Sequence, residues 1–104
     1  SLDHARFGLL FLRNGKWKNE LLLSPEWIKL VQQPSENNES YGYMWWLNKG
    51  ARKWDGLPEN IYYGAGFGGN YVVIIPDSNL VIVARWIDSS KIGDFVKKIV
   101  DSQL

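Results

Sequence analysis

The stretch "YYGAGFGGNYVVIIPDSNLVIVARW", residues 62 to 86, decides the fold. Four glycines fall within six positions, and two strongly apolar runs follow. "YVVII" and "LVIVARW" are continuous runs of the kind found in strands covered on both faces. "PDSN", Pro76 to Asn79, supplies the turn between them. Residues 61–66, 70–75 and 80–86 therefore read as three strands of an antiparallel meander.

Outward from this stretch the pattern changes period. "YGYMWWLN", residues 41–48, reads as a mostly aromatic strand. The connection "KGARKWDGLPEN" is punctuated by Gly50, Gly56 and Pro58. After the meander, Ile92, Phe95, Val96, Ile99 and Val100 recur at helical spacing, with Asp94, Lys97, Lys98 and Asp101 facing away. This predicts a helix from Ser89 or Ser90 to about Ser102. Towards the N-terminus, residues 2–13 predict a helix with Ala5, Leu9 and Leu12 on one face. Asp3 suits its first turn and Arg13 its last, and Asn14-Gly15 stops it. Gly8 in mid-helix implies close packing there. In "LLLSPEW", Ser24 is the expected N-cap, with Pro25 at the first helical position and Glu26 in the first turn. Trp27, Leu30 and Val31 are expected to share its buried face, and Pro34 to end it. "SENNES", residues 35–40, is a polar loop. The order gives an α+β fold: an antiparallel sheet of three to four strands packed by helices.

The chain has 104 residues, enough for one domain (1–104) and too few for two. A net charge of +1, from 12 basic and 11 acidic residues, gives no strong pull towards nucleic acid or acidic lipid. With no cysteine, disulfides and thiolate metal sites are excluded. No apolar run approaches the ~20 residues of a membrane span. The opening Ser-Leu-Asp-His, without a Met, reads as a start created by processing or cloning, and no secretory signal is expected there.

The glycines admit three readings. A phosphate cradle needs its glycines to lead into a helix N-terminus, whereas here a strand follows, and Gly-Lys-Ser/Thr is absent. A β-bulge or tight hairpin would use glycine for positive φ or close approach. An edge strand lining a pocket would use it to lay a substrate against the backbone, with N–H groups aimed at an oxyanion. The last two readings both stay open on composition.

"DHARFGLLFLRNGKW", "LLLSPEWIK", "YGYMWWL" and "YYGAGFGGNYVVIIPDSNLVIVARW" resemble, in that order, the C-terminal part of the serine β-lactamase-like hydrolases. The nearest branch is that of the class C β-lactamases, esterases and nylon-oligomer hydrolases, grouped with the penicillin-binding proteins. The resemblance covers nearly the whole chain. It implies the last strands and C-terminal helix of that fold, acyl transfer through a serine, and no metal or organic cofactor. It aligns Gly64-Ala65-Gly66-Phe67-Gly68-Gly69 with a His-Thr-Gly-Phe-Thr-Gly motif. The N–H of Phe67 would be half of an oxyanion hole, with Gly64, Ala65, Gly66 and Gly69 bordering the substrate.

The departures are specific. Gly64 stands where the family places Lys or His, which removes a cation for a substrate carboxylate. No Ser is followed three residues later by Lys, and there is no Tyr-x-Asn. Ser35-Glu36-Asn37 fits Ser-x-Asn only formally. The nucleophile and base are thus absent, so no catalytic residue is expected in this chain. General-base activation requires both partners within hydrogen-bond reach. The resemblance implies a missing N-terminal half, a small-molecule acyl substrate, or a stand-alone binding module derived from the fold. Without that half, the strand at 80–86 has an open edge, from which a homo-oligomer is expected.

His4, the single histidine, is expected on the surface of the first helix beside Asp3 and Arg6. Asp55, Glu59 and Asp77 fall in loops with nothing pairing them as acid and base. Lys16, Lys18, Arg52 and Lys53 read as solvated loop residues. Trp45 and Trp46 are expected on opposite faces of their strand.

Overall fold

A computed structural model of the chain describes residues 2–33, 45–48, 54, 56–66 and 70–102. The elements are α1 (Leu2–Leu12), β1 (Lys16–Trp17), β2 (Glu20–Leu21), α2 (Pro25–Val31), β3 (Trp46–Leu47), β4 (Tyr62–Gly66), β5 (Asn70–Ile75), β6 (Leu80–Ala84) and α3 (Ile92–Asp101). β3 to β6 form one antiparallel sheet in chain order, and β1–β2 is a separate hairpin. This is the α+β architecture expected.

The sheet divides the core in two. Alternation along β4 and β5 sends Tyr63, Tyr71, Val73 and Ile75 to one face, where they meet Leu57, Ile61 and the α3 residues Ile92 and Val96. Tyr62 and Ile74 go to the other face, with Trp45, Leu47, Phe11 of α1, and Ile28 and Val31 of α2. Trp45 and Trp46 separate as expected. Trp45 is buried beside Phe11 and Tyr62, at ring distances of 4.8 and 5.2 Å, and Trp46 packs on the α3 side. Coverage on both faces accounts for the unbroken apolar runs.

Local signals set the ends. The Ser24 hydroxyl accepts from the Trp27 N–H at 3.1 Å and caps α2. Asn14 and Gly15 take φ of 58° and 87° and stop α1. A Cβ on Gly15 would fall 1.9 Å from the Leu23 carbonyl oxygen, so both space and conformation require glycine. The expected turn at 76–79 is a 3-10 turn, Pro76–Ser78, closed by Asn79 at φ 51°.

Several sequence-based details are corrected. α1 buries Gly8 and Phe11, whereas Ala5, Leu9 and Leu12 are half-buried. The line of closest contact runs through a glycine, which a count of apolar side chains misses. α2 buries Ile28 and Val31, and leaves Trp27 and Leu30 each 41% exposed. In a seven-residue helix, two faces fit the same spacing. Phe95 lies at the margin of the α3 stripe and is also 41% exposed. β6 ends at Ala84 because Trp86 turns the chain with φ 59°. The β1–β2 hairpin was not foreseen: in its two-residue turn, Lys18-Asn19, the residue at positive φ (57°) is Lys18 and not the Gly or Asn usual there. Of the strand expected at 41–48, residues 41–44 lie outside the described residues, as does Pro34.

Candidate functional site

β4 and β5 pair one to one, from Tyr62↔Ile74 through Gly64↔Val72 to Gly66↔Asn70. No bulge interrupts these pairs. Neither Gly64 nor Gly66 has a positive φ. Among the described residues, a Cβ on Gly64 would meet only Trp45 Cζ3, at 3.9 Å, and one on Gly66 only Asn70, at 3.8 Å or more. These are ordinary van der Waals separations. Neither backbone conformation nor crowding therefore requires glycine at these two positions. The bulge reading loses its basis there, whereas the tight-hairpin reading is met: β4 and β5 pair antiparallel up to Gly66↔Asn70, with residues 67–69 alone joining them. Phe67, Gly68 and Gly69 lie outside the described residues, and with them the expected oxyanion N–H and the end of the glycine run.

What the two glycines do border is space. A cavity of about 400 Å³ is lined by Gly64, Ala65, Gly66, Tyr71, Val83 and Arg85, among others, with His4 of α1 also at its wall. His4 is exposed, as expected of a surface histidine, but its helix also brings it to the glycine strand. Asp3 turns to Arg6 in a 3.1 Å ion pair and does not line the cavity. Among the described residues, the titratable side chains around the cavity are thus His4, Tyr71 and Arg85, with no carboxylate.

A second cavity, about 470 Å³, opens on the α3 side of the same strand end. Trp46, Trp54, Tyr63, Ser89 and Ile92 line it, and it shares Ala65, Gly66 and Tyr71 with the first. Its wall is ordered by stacking: the Trp54 and Tyr63 rings lie 4.3 Å apart at 20°. Trp54 also presses on Gly93 of α3, where a Cβ would come within 2.9 Å of the indole Cδ1. Burial, with the nearby Tyr71, pushes the Tyr63 phenol up to about 12, and burial raises Tyr62 as well. Both phenols are neutral at physiological pH and supply no phenolate base.

Asn48, which the sequence reading passed over, holds this wall in place. It is fully buried. Its side-chain N–H₂ donates to the carbonyls of Trp54, Leu57 and Pro58 at 3.2, 3.4 and 3.0 Å. Its Oδ1 accepts from the Trp54 N–H at 2.8 Å. One amide thus supplies hydrogen-bond partners to the backbone of Trp54, Leu57 and Pro58. An Asn at a strand end before a Gly/Pro-punctuated loop was the available signal.

The remaining candidates are structural. Ser24 caps α2, Ser90 donates to Asp88 Oδ1 through its N–H and hydroxyl at 2.9 and 2.8 Å, and the Ser102 hydroxyl donates to the Ile99 carbonyl. The Ser90 bonds hold the Asp88 carboxyl below its ordinary range. Asp77 accepts from Asn60. Arg52, Lys53 and Asp55 lie outside the described residues. Among the described residues, no three His, Cys, Asp or Glu converge as a metal site. No helix among them is long and apolar enough to cross a membrane. No protein-family model and no curated protein matches the chain.

Proposed function

We propose that this chain is the C-terminal portion of a serine β-lactamase-like acyl hydrolase. It supplies the wall of a substrate cleft and lacks the Ser-x-x-Lys half. The observation that carries this reading is the pair Gly64 and Gly66: regular strand residues with no steric need for glycine among the described residues, lying along a cavity. Side-chain-free backbone of that kind suits a small acyl substrate laid against a strand. The reaction would be attack by a serine hydroxyl on an ester, amide or β-lactam carbonyl, then hydrolysis of the acyl-serine. The nucleophile and base would come from sequence outside these 104 residues or from a second chain.

The alternative is a non-catalytic binding or oligomerisation module derived from that fold. Immunoblotting the source cells with an antibody to this chain, then treating the captured product with a fluorophosphonate serine probe, separates the two. The hydrolase reading expects a product that takes the probe, either in one band well above 12.0 kDa or in a co-captured chain. A 12.0 kDa product with no labelled partner would overturn it.

A further inference from the structure

The α3-side cavity lies where the apolar layer of the sheet thins. The register sets Tyr63 of β4, Val73 of β5 and Ile82 of β6 side by side, and all three are buried. The next row on the same face is Ala65, Tyr71 and Ala84. Here only a methyl group stands on either side of the Tyr71 ring. Ala84 is buried, whereas Ala65 is exposed, so the space opens on the Ala65 side. Four aromatic side chains, Trp46, Trp54, Tyr63 and Tyr71, stand around it. They are already held in place. Trp54 stacks on Tyr63, abuts Gly93 of α3, and has its backbone tied to Asn48. Among the described residues no Asp, Glu, Lys, Arg or His lines the cavity. A charged group entering it would lose water and meet no counter-charge. An uncharged ring would gain offset-stacked or edge-to-face contacts with little ordering cost to the wall.

We propose that this cavity binds an uncharged aromatic ring, and that the ring is carried by the acyl substrate. The first half stands on the cavity itself. Its volume of about 470 Å³ is within the usual range for a small-molecule site and ample for one ring. The second half rests on the hydrolase reading. The cavity shares Ala65 and Gly66 with the glycine-lined one, so a ring seated here leaves the rest of its molecule along the glycine strand. The substrate class is then an ester, amide or β-lactam bearing an aryl group, with Trp54 and Tyr63 setting the preference for that group.

Benzyl alcohol and its saturated counterpart cyclohexylmethanol test the ring site on the whole product in which this chain occurs. Each is titrated while the tryptophan indole N–H resonances are followed by NMR, with Trp46→Phe and Trp54→Phe identifying the two cavity signals. Benzyl alcohol should shift those two and leave Trp86, which is exposed and outside the cavity, unmoved. It should bind about threefold to tenfold more tightly than cyclohexylmethanol, the margin that ring–ring contact adds to burial. Ser89→Phe, at the exposed margin, should weaken benzyl alcohol several-fold by filling the space while the wall stays intact. Equal affinity for the two alcohols, shifts confined to other tryptophans, or tighter binding of tetramethylammonium would overturn the ring site. The substrate half is tested by competition. Benzyl alcohol should slow labelling by the fluorophosphonate probe more than cyclohexylmethanol does, and equal slowing would overturn it. The two readings fail separately: a product that binds benzyl alcohol here but never takes the probe refutes the hydrolase, whereas a labelled product with no ring preference refutes the site.

Discussion

Gly8 of α1 lies directly against Val81 of β6. A Cβ on Gly8 would sit 2.7 Å from Val81 Cγ1 and 3.0 Å from Val72 Cγ1. At this point the helix approaches the sheet too closely for a side chain. Gly8→Ala should therefore destabilise the fold by about 1–3 kcal/mol through overpacking, even though alanine is the better helix former by about 1 kcal/mol. Urea denaturation measures it. The Gly8→Ala, Val81→Ala double variant should recover part of the loss, because the second change removes the methyl that the first one meets. A stabilised Gly8→Ala would contradict this contact.

Gly64 should behave in the opposite way. Among the described residues its Cβ position meets only ordinary contact with Trp45, so Gly64→Ala should leave the urea midpoint nearly unchanged or slightly raised. Gly64→Val should still fold, with its branched side chain projecting into the cavity. If the cleft reading is right, acyl turnover of the complete enzyme should fall in Gly64→Val while stability does not. A large loss of stability in Gly64→Ala would restore a structural reason for this glycine.

Asn48 should be among the least replaceable residues. Asn48→Leu has similar volume but removes the donor to three carbonyls and the acceptor for Trp54 N–H. Leaving buried backbone groups unpaired costs about 1–3 kcal/mol each, so a loss of at least about 3 kcal/mol is expected. The near-ultraviolet circular dichroism of the Trp54–Tyr63 stack should weaken in the same variant. A stable variant with an unchanged aromatic signal would show that the loop is held by packing alone.

Alkaline pH should unfold the chain through its sheet. The Tyr63 phenol rises from 10.0 to about 12 in the folded state, chiefly by burial, and Tyr62 shifts in the same direction. A raised pKa means that the folded state favours the neutral phenol. Its contribution is fully present below pH 10, the unfolded value, and is lost as pH rises towards about 12. Ultraviolet titration of tyrosinate should show Tyr62 and Tyr63 ionising late, with urea stability falling over that window. Tyr63→Phe should flatten the fall. Constant stability from pH 9 to about 12 would contradict the burial of these rings.

Much of the fold is legible because its signals are local. The Ser24-Pro25 cap, the Asn14-Gly15 stop and the apolar runs at 70–75 and 80–84 each specify structure within a few residues. Helix faces were read less well. Val31 is buried as expected, but its partner on the buried face is Ile28 and not Trp27 or Leu30, a choice made by what lies opposite α2, namely Trp45, Leu47 and Tyr62, and not by α2 itself. The glycine strand was legible as a candidate cavity wall, but the sequence could not choose between that reading and a bulge or tight hairpin. Distinguishing a glycine that a turn requires from one that a pocket uses takes knowledge of φ and of neighbouring atoms. His4 and Asn48 were obscure for the same reason: their places are set by residues 60 and 6 positions away or more, Gly64 for one and Trp54 for the other.

The sheet's separation of its two cores also bears on how the molecule can change. Tyr62 and Ile74 serve one side, and Tyr63, Val73 and Ile75 the other, so the two populations of side chains are divided by backbone. Substitutions on opposite faces should add nearly independently, within about 0.3–0.5 kcal/mol where they share no partner. Each layer can then accumulate mutations at its own pace. The aromatic wall around Trp54 could be remodelled for a new ligand while the α1 layer continued to hold the fold.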